Sequence, residues 1–416
     1  MLPSHASVVV AGGGPAGFMA AITAAEGGVA DVVVLEATAE PLHKVRISGG
    51  GRCNVTHACW DPADLVRHYP RGGRALRGPF SRFACGDTVT WFADRGLELV
   101  TEADGRLFPR ANRSDAVVDC LRKAAAAAGV RLFTGIGLGG ARALAATPGG
   151  FALESRQGGR MRCDALVLAS GSHPSGHRIA TSLGHGLVPP VPSLFSLGLA
   201  PHPLGDLAGV AADPVRLELR VGDRRLRERG PMLITHRGLS GPAVLRLTAF
   251  AARLLKEHGY RATLMVDWSD GLSPEALTRL IDDRCRSEGR RRLGSSRPLP
   301  GIGRRLWRHL VAAADLDPEL RLADLPASAR RRLVEQLRRS RYSVAGRGPF
   351  GEEFVTAGGV PLGEVNLATM ESRMQPGLFL VGEILDVDGV TGGFNFQHCW
   401  TSGWLAGQTL AGQGSD

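Results

Sequence analysis

A run of glycines near the start of the chain, Gly12-Gly13-Gly14-Pro15-Ala16-Gly17, constrains its fold more than any other feature. It follows the apolar, β-branched run Ser7–Ala11. It opens a small-residue stretch, Pro15–Glu26, that reads as a helix with proline in its first turn, where the missing N–H does no harm. The pattern is G-x-G-x-x-G between strand and helix. Gly12 permits a tight turn, Gly14 lets a pyrophosphate approach the backbone, and Gly17 lets helix and strand pack closely. The helix N-terminus then offers N–H groups and a positive dipole end to the phosphates. Glu36 closes the next buried run, Asp31–Glu36, 19 residues beyond Gly17, where a carboxylate accepts ribose hydroxyls. Strand, helix and acid in register predict a Rossmann-like dinucleotide site, with Gly12, Gly14, Pro15, Ala16, Gly17 and Glu36 around its adenosine half.

The same spacing recurs at Gly135–Gly140. The chain beyond it, Ala141–Ala146, Thr147–Gly150 and the alternating run Phe151–Arg156, is too short for a crossover helix and reads as a β-hairpin. One dinucleotide site is expected, and no dedicated nicotinamide domain.

Two further glycine clusters point to a flavin. Ser48-Gly49-Gly50-Gly51-Arg52-Cys53-Asn54 comes after a loop carrying Lys44. Consecutive glycines let backbone lie against a large planar ligand, and Arg52 can balance pyrophosphate charge. Near the other end, Gly382-Glu383 succeeds a strand at Gly377–Val381, and Gly389–Asn395 opens the last helix. A helix N-terminus there can stabilise negative charge at the pyrimidine end of a reduced flavin.

Length and texture divide the chain. Its 416 residues predict two or three domains. Strand–helix alternation runs to about Val191, with a helix at Ser114–Ala128 and strands at Val130–Thr134 and Asp164–Ser170. After the Pro-rich stretch Val188–Ser193 come strands at Arg216–Val221, Pro231–His236 and Arg261–Asp267, a helix at Pro242–His258, and an arginine-dense helical block capped by Ser273 and Pro274. The expected boundaries are 1–193 for the first part of a nucleotide-binding domain, 194–270 for a β-rich insertion, 271–345 for a helical cap, and 346–416 for the return.

Hydrophobic residues at 44% and charged residues at 22% exclude a disordered or fibrous chain. The formal charge is +10, and 47 of the 50 basic residues are arginine. Between Ile281 and Arg347 stand 17 arginines against 8 acidic residues, so nearly all of the surplus lies in one segment. Seven cysteines without a C-x-x-C spacing argue against a disulfide scaffold or structural zinc, and no metal ligands are predicted. The absence of a basic, cleavable leader and of an ~18-residue apolar run predicts a cytoplasmic protein without a membrane span.

Taken together, these motifs resemble the BaiN/YhiN/RdsA-like NAD(P)/FAD-dependent oxidoreductase family. Asp386-Val387-Asp388-Gly389 with Gly392-Gly393-Phe394-Asn395 is similar to its flavin signature. Ser48–Asn54, Gly105–Pro109, Ala169-Ser170-Gly171-Ser172 and Thr235–Pro242 stand in the family's order. The resemblance covers essentially the whole chain. It implies an α/β fold: a Rossmann-like FAD-binding domain interrupted by a β-barrel-like subdomain and a small helical cap. It also implies that Lys44, Gly50, Gly51, Arg52, Cys53 and Asn54 line the cofactor. Ala169, Ser170, Gly171, Gly382, Glu383, Asp388, Gly392, Gly393, Phe394 and Asn395 would flank its ribitol and flavin. The chain departs from the family at Phe394, where tyrosine is usual, and at Gly171-Ser172, where Gly-Gly is usual.

The family's common step is hydride transfer at flavin N5, with NAD(P)H as the expected soluble donor. Three functions fit. The favoured one is a C=C reductase forming dihydrouridine in ribosomal RNA, with structured RNA tracked by the arginines of 281–347. That segment's only aromatics able to stack bases are Trp307 and Tyr342. The others are a small-molecule oxidoreductase, an aminoketone oxidase or enone reductase, and a non-catalytic FAD-containing RNA-binding factor. Cys53 in the flavin loop and His236 in Thr235–Pro242 are the candidate proton donors, whereas His398 and Cys399 read as packing residues of the last helix.

Overall fold

Val8, Val9 and Val10 are 3%, 0% and 0% exposed, as a strand covered on both faces requires. They belong to β1 (His5–Ala11), at the centre of the main sheet. The computed structural model describes residues 2–145, 149–348 and 355–413. It divides into two units, Met1–Pro190 with Thr356–Asp416, and Val191–Val355.

In the first unit β1 leads through the glycine loop to α1 (Pro15–Glu26) and β2 (Val32–Leu35). Later come α2 (Asp115–Ala127), β3 (Arg131–Phe133), β4 (Leu138–Ala143), β5 (Phe151–Ser155), β6 (Arg160–Leu168) and α3 (Pro174–Ser182). The second G-x-G-x-x-G lies where β4 begins, and β4 pairs antiparallel with β5 as a hairpin. Residues 147–148 of its expected turn lie outside the described residues. β6 starts four residues earlier than the apolar run suggested. Its polar first half, from Arg160, pairs with β5 rather than being covered on both faces.

The inserted unit holds β7 (Leu197–Leu199), β8 (Ala211–Val221), β9 (Arg224–Thr235), β10 (Gly238–Ser240), α4 (Pro242–Glu257) and β11 (Arg261–Asp267). After these come α5 (Pro274–Ser287), α6 (Arg304–Ala313), α7 (Ala327–Arg339) and β12 (Ser340–Arg347). Six strands close into a barrel in the order β7-β10-β9-β8-β11-β12, with β12 pairing back to β7. Residues 340–345, expected inside the helical cap, begin a barrel strand. There Tyr342 and Val344 point inward at 6% and 3% exposure between exposed Arg341, Ser343 and Ala345. Leu277, Ile281, Leu306, Trp307 and Leu333 from the helices share one core with Leu264 and Val266 of the barrel, so the β-rich and arginine-rich segments form a single unit. Trp307 donates its indole N–H to the Leu293 carbonyl at 2.8 Å and is 1% exposed; neither it nor Tyr342 is available to stack a base.

The chain returns through β13 (Val365–Asn366), β14 (Glu371–Ser372), β15 (Leu378–Leu380) and α8 (Phe394–Gln413). The main sheet runs β13-β14-β15-β6-β1-β2-β3, and its central strands from β15 to β3 are parallel. α8 lies against α1: a Cβ on Gly403 would fall 2.5 Å from the Ala16 carbonyl oxygen. No helix among the described residues is long and apolar enough to cross a membrane.

Candidate cofactor site

β1 delivers the glycine loop to the C-terminal edge of the sheet, where ligands of such folds bind. Gly12 has φ +124°, and a Cβ there would meet the Ala169 carbonyl oxygen at 2.3 Å; one on Gly17 would meet the Gly12 carbonyl oxygen at 2.0 Å. Gly14, the residue before α1, has nothing within 4 Å of its Cβ position. Two glycines thus lock the loop, and the third leaves its outer side open to a ligand. The Glu36 carboxylate accepts from Gly13 N at 2.7 Å and from Thr38 N at 2.8 Å, which holds it beside the loop.

Gly49, Gly50 and Gly51 all have positive φ, and the space above Gly50 and Gly51 is open. The residues around them behave differently from expectation. Arg52, expected to balance pyrophosphate charge, donates to Glu102 at 2.6 Å and lies 4.0 Å over the Phe108 ring. Cys53 is 0% exposed among Phe18, Met19, Val45 and Val55, and burial pushes its thiol up to about 12. It is a packing residue and a poor acid at neutral pH. Asn54, with its amide oriented by its neighbours, accepts from Gly393 N and donates to the Thr56 carbonyl, both at 3.0 Å.

Beyond β6, Ala169 backs the glycine loop. Gly171, at φ +58°, faces Glu383, whose Oε2 would lie 3.6 Å from a Cβ there. Glu383 accepts from Lys44 Nζ at 2.5 Å and from Thr356 N at 3.1 Å. Burial pulls the Lys44 ammonium down, but the adjoining Glu383 carboxylate outweighs it and holds Lys44 above its usual range. Gly382 N donates to Ser402 Oγ at 2.9 Å, and its carbonyl accepts from His398 Nε2 at 3.3 Å. Burial drives His398 down to about 4.

At the start of α8, Asn395 clasps Gly389 through both backbone groups, at 2.8 and 2.9 Å. Asp388 is 0% exposed, and its carboxylate takes both prongs of the Arg71 guanidinium. Gly392 and Gly393 have φ +124° and +90°, and a Cβ on Gly393 would strike the Thr56 backbone at 2.7 Å. Phe394 meets both His57 and His68, with ring centroids 4.7 and 4.2 Å away, and the two histidine rings lie 6.1 Å from each other. His57 Nδ1 donates to the Gly392 carbonyl at 3.0 Å. No sequence motif marks either histidine, since both meet Phe394 only through the fold. His236 belongs to the inserted unit, exposed in the two-residue turn between β9 and β10.

These residues suit FAD. The loop is open at Gly14 and at Gly50–Gly51. Three buried polar atoms beside it, Ser170 Oγ, His177 Nε2 and His398 Nδ1, have no hydrogen-bond partner, and such atoms call for a polar ligand. Among the described residues no group of three His, Cys, Asp or Glu side chains could hold a metal ion. Seven of the 17 arginines of the 281–347 segment pair with acids within it. Arg284 and Arg291 pair with Glu288, Arg292 and Arg308 with Glu319, Arg286 with Asp283, Arg330 with Asp282 and Arg339 with Glu335.

The chain is 30% identical to the 3-dehydro-bile acid delta(4,6)-reductase of Clostridium scindens, over 97% of this chain and 98% of that protein. It is 27% identical to the ribosomal RNA dihydrouridine synthase of Escherichia coli, over 97% of each. Its fold matches 3-ketosteroid delta1-dehydrogenase from Sterolibacterium denitrificans with a TM-score of 0.55 at 14% identity, covering 99% of this chain and 100% of that one. The model of the HI0933-like protein Rossmann domain matches residues 6–409, a span that takes in both halves of the cofactor site and the whole insertion. The chain therefore belongs to the HI0933-like Rossmann family of BaiN/YhiN/RdsA-like flavoproteins and is an FAD-dependent oxidoreductase.

Proposed function

We propose that the protein reduces a carbon–carbon double bond conjugated to a carbonyl, in a small cyclic enone. The observation that carries this reading is that the two curated relatives described above, each matched over nearly its whole length, bear names of that one chemistry. A delta(4,6) reductase of a 3-dehydro bile acid saturates bonds in line with a ketone, and dihydrouridine is uridine with its carbonyl-conjugated C5–C6 bond saturated. Bound FAD supplies the hydride, at N5.

In this reading the chain's own residues do the rest. The glycine loop and the α1 N-terminus hold the pyrophosphate, and Glu36 the adenosine ribose. Lys44, Glu383, Ser170 and Gly171 hold the ribityl segment. His57 and His68, stacked on Phe394, replace Cys53 as candidates for handling the substrate proton. His236 remains to be tested beside them. A small substrate is favoured over RNA because seven arginines of the 281–347 segment are spent on acids within it and its aromatics are buried. The test is anaerobic. Protein reduced by NADPH or NADH is mixed with 3-oxo-Δ4 cyclic enones, flavin absorbance is monitored, and the product gains two hydrogens. If no enone reoxidises the flavin faster than buffer, the proposal fails; peroxide release with an aminoketone would mark an oxidase instead.

A second reading, a uridine of ribosomal RNA as substrate, has the 27% identical relative in its favour. Mass spectrometry of ribosomal RNA nucleosides from a deletion strain decides it: a missing dihydrouridine supports RNA, and an unchanged profile removes it.

A further inference from the structure

The outer face of the barrel carries a charge pattern that the arginine-rich helices lack. Opposed residues on paired strands point to the same side. One outward row is therefore Arg225 on β9, Arg220 on β8, Thr263 on β11 and Ser343 on β12. The next row is Arg227, Glu218, Met265 and Arg341, and Arg261 flanks the first row opposite Ala345. The alternate residues Leu217, Leu219, Leu264 and Val266 are at most 2% exposed, which fixes the sense of the face. It presents five arginines and one acid. Glu218 is taken up by Arg220 at 2.7 Å and Arg227 at 2.8 Å. Among the described residues, Arg225, Arg261 and Arg341 have no acidic partner. Two adjoining hollows of about 490 and 360 Å³ lie over Thr263 and Ser343, bordered by Arg220, Arg261 and Arg341 and by no carboxylate.

We propose that this face binds the phosphodiester backbone of a nucleic-acid strand. Guanidinium groups grip phosphate oxygens in bidentate fashion, and serine and threonine hydroxyls between them add donors. Four strands at a spacing of ~4.8 Å make a row about 14 Å wide, several times what one free phosphate fills. The face offers no exposed aromatic, so it grips backbone without reading bases. Met265 is the single large apolar side chain in these rows, too little to anchor the face in a lipid surface. This site shares no residue with the FAD site and does not depend on which substrate the flavin reduces.

The test uses the FAD-loaded full chain and a short fluorescein-labelled oligouridylate, measured by anisotropy across a salt series without turnover, so failure of the enone reading leaves it intact. Affinity is expected to fall with salt at a log–log slope of ~0.7 per phosphate contact. Arg261→Ala with Arg341→Ala should weaken binding about tenfold at low salt and flatten the slope by ~1.4. Arg290→Ala with Arg331→Ala, in the helical block, should stay within about twofold of wild type, as expected for arginines off the binding face. FAD content and thermal unfolding of each variant establish that it is folded. Unchanged affinity in the Arg261/Arg341 variant overturns the proposal. So does equal binding of poly-glutamate or of anionic vesicles, or displacement of the oligonucleotide by inorganic phosphate beyond what chloride of the same ionic strength achieves.

Discussion

The sharpest test of the cofactor site compares two alanines three residues apart. At Gly17 the added Cβ would sit 2.0 Å from the Gly12 carbonyl oxygen, where no real Cβ comes under 3.0 Å, so loop and helix must part by about 1 Å. Overpacking of that kind typically costs about 1–3 kcal/mol. At Gly14 the added Cβ meets nothing within 4 Å, and the backbone is extended at φ −88°, ψ −176°, which alanine adopts freely. Gly14→Ala should therefore leave apoprotein stability within about 0.5 kcal/mol of wild type, as for an exposed site. Its cost falls on the ligand: the methyl occupies the space through which the pyrophosphate must approach. An FAD affinity at least tenfold weaker, about 1.4 kcal/mol, is expected. Urea unfolding of the deflavinated proteins measures the first quantity, and quenching of FAD fluorescence on titration the second. Gly17→Ala should fail in both assays and Gly14→Ala in one. A Gly14→Ala protein that binds FAD like wild type would refute the placement of the pyrophosphate.

Buried groups carry further consequences. Arg71→Met removes the bidentate guanidinium from the Asp388 carboxylate, which is 0% exposed, and should cost about 3–5 kcal/mol in urea unfolding, with Asp388→Asn in the same chain restoring most of it. His398 is neutral in the folded chain, lowered from 6.5 to about 4. The unfolded chain takes up a proton first as pH falls, so stability should drop between about pH 6.5 and 4 by up to about 3 kcal/mol; His398→Gln should flatten that part of the pH–stability curve. Cys53→Ala removes one packed sulfur at about 1 kcal/mol and should keep its flavin turnover within about twofold. A turnover loss of a hundredfold with FAD still bound would return Cys53 to the chemistry.

Features decided locally are the ones legible in the sequence. The strand–glycine–helix unit at Ser7–Glu26 and the glycines at Gly49–Gly51 and Gly392–Gly393 declare themselves through spacing, because each performs its task within a few residues. Charged side chains do not, since a guanidinium settles on whichever carboxylate the fold brings near. Arg52 has Glu102, fifty positions away, and Asp388 has Arg71, 317 positions away. The barrel is half visible for a related reason. β9 starts seven residues before its apolar run at Pro231 because Arg224, Arg225, Arg227 and Arg229 extend the strand without extending its hydrophobic signature. For the same reason β12 is hidden at the end of the arginine block.

The seating of α8 on α1 also sets a timetable. Lys44 with Glu383, Asn54 with Gly393 and Ala16 with Gly403 each join a residue made early to one made last, on either side of the intervening Val191–Val355. At ~5–20 residues per second the glycine loop leaves the ribosome roughly 20 to 75 seconds before the groups that complete its site. Phe18, Met19 and Ile22 of α1, each at most 1% exposed in the finished protein, wait uncovered for part of that interval. Flavin loading is therefore a late event in the life of the chain. A polypeptide cut short before α8 should carry an intact fingerprint and hold no flavin, so the flavin content of a preparation should report how many of its chains were synthesised to completion.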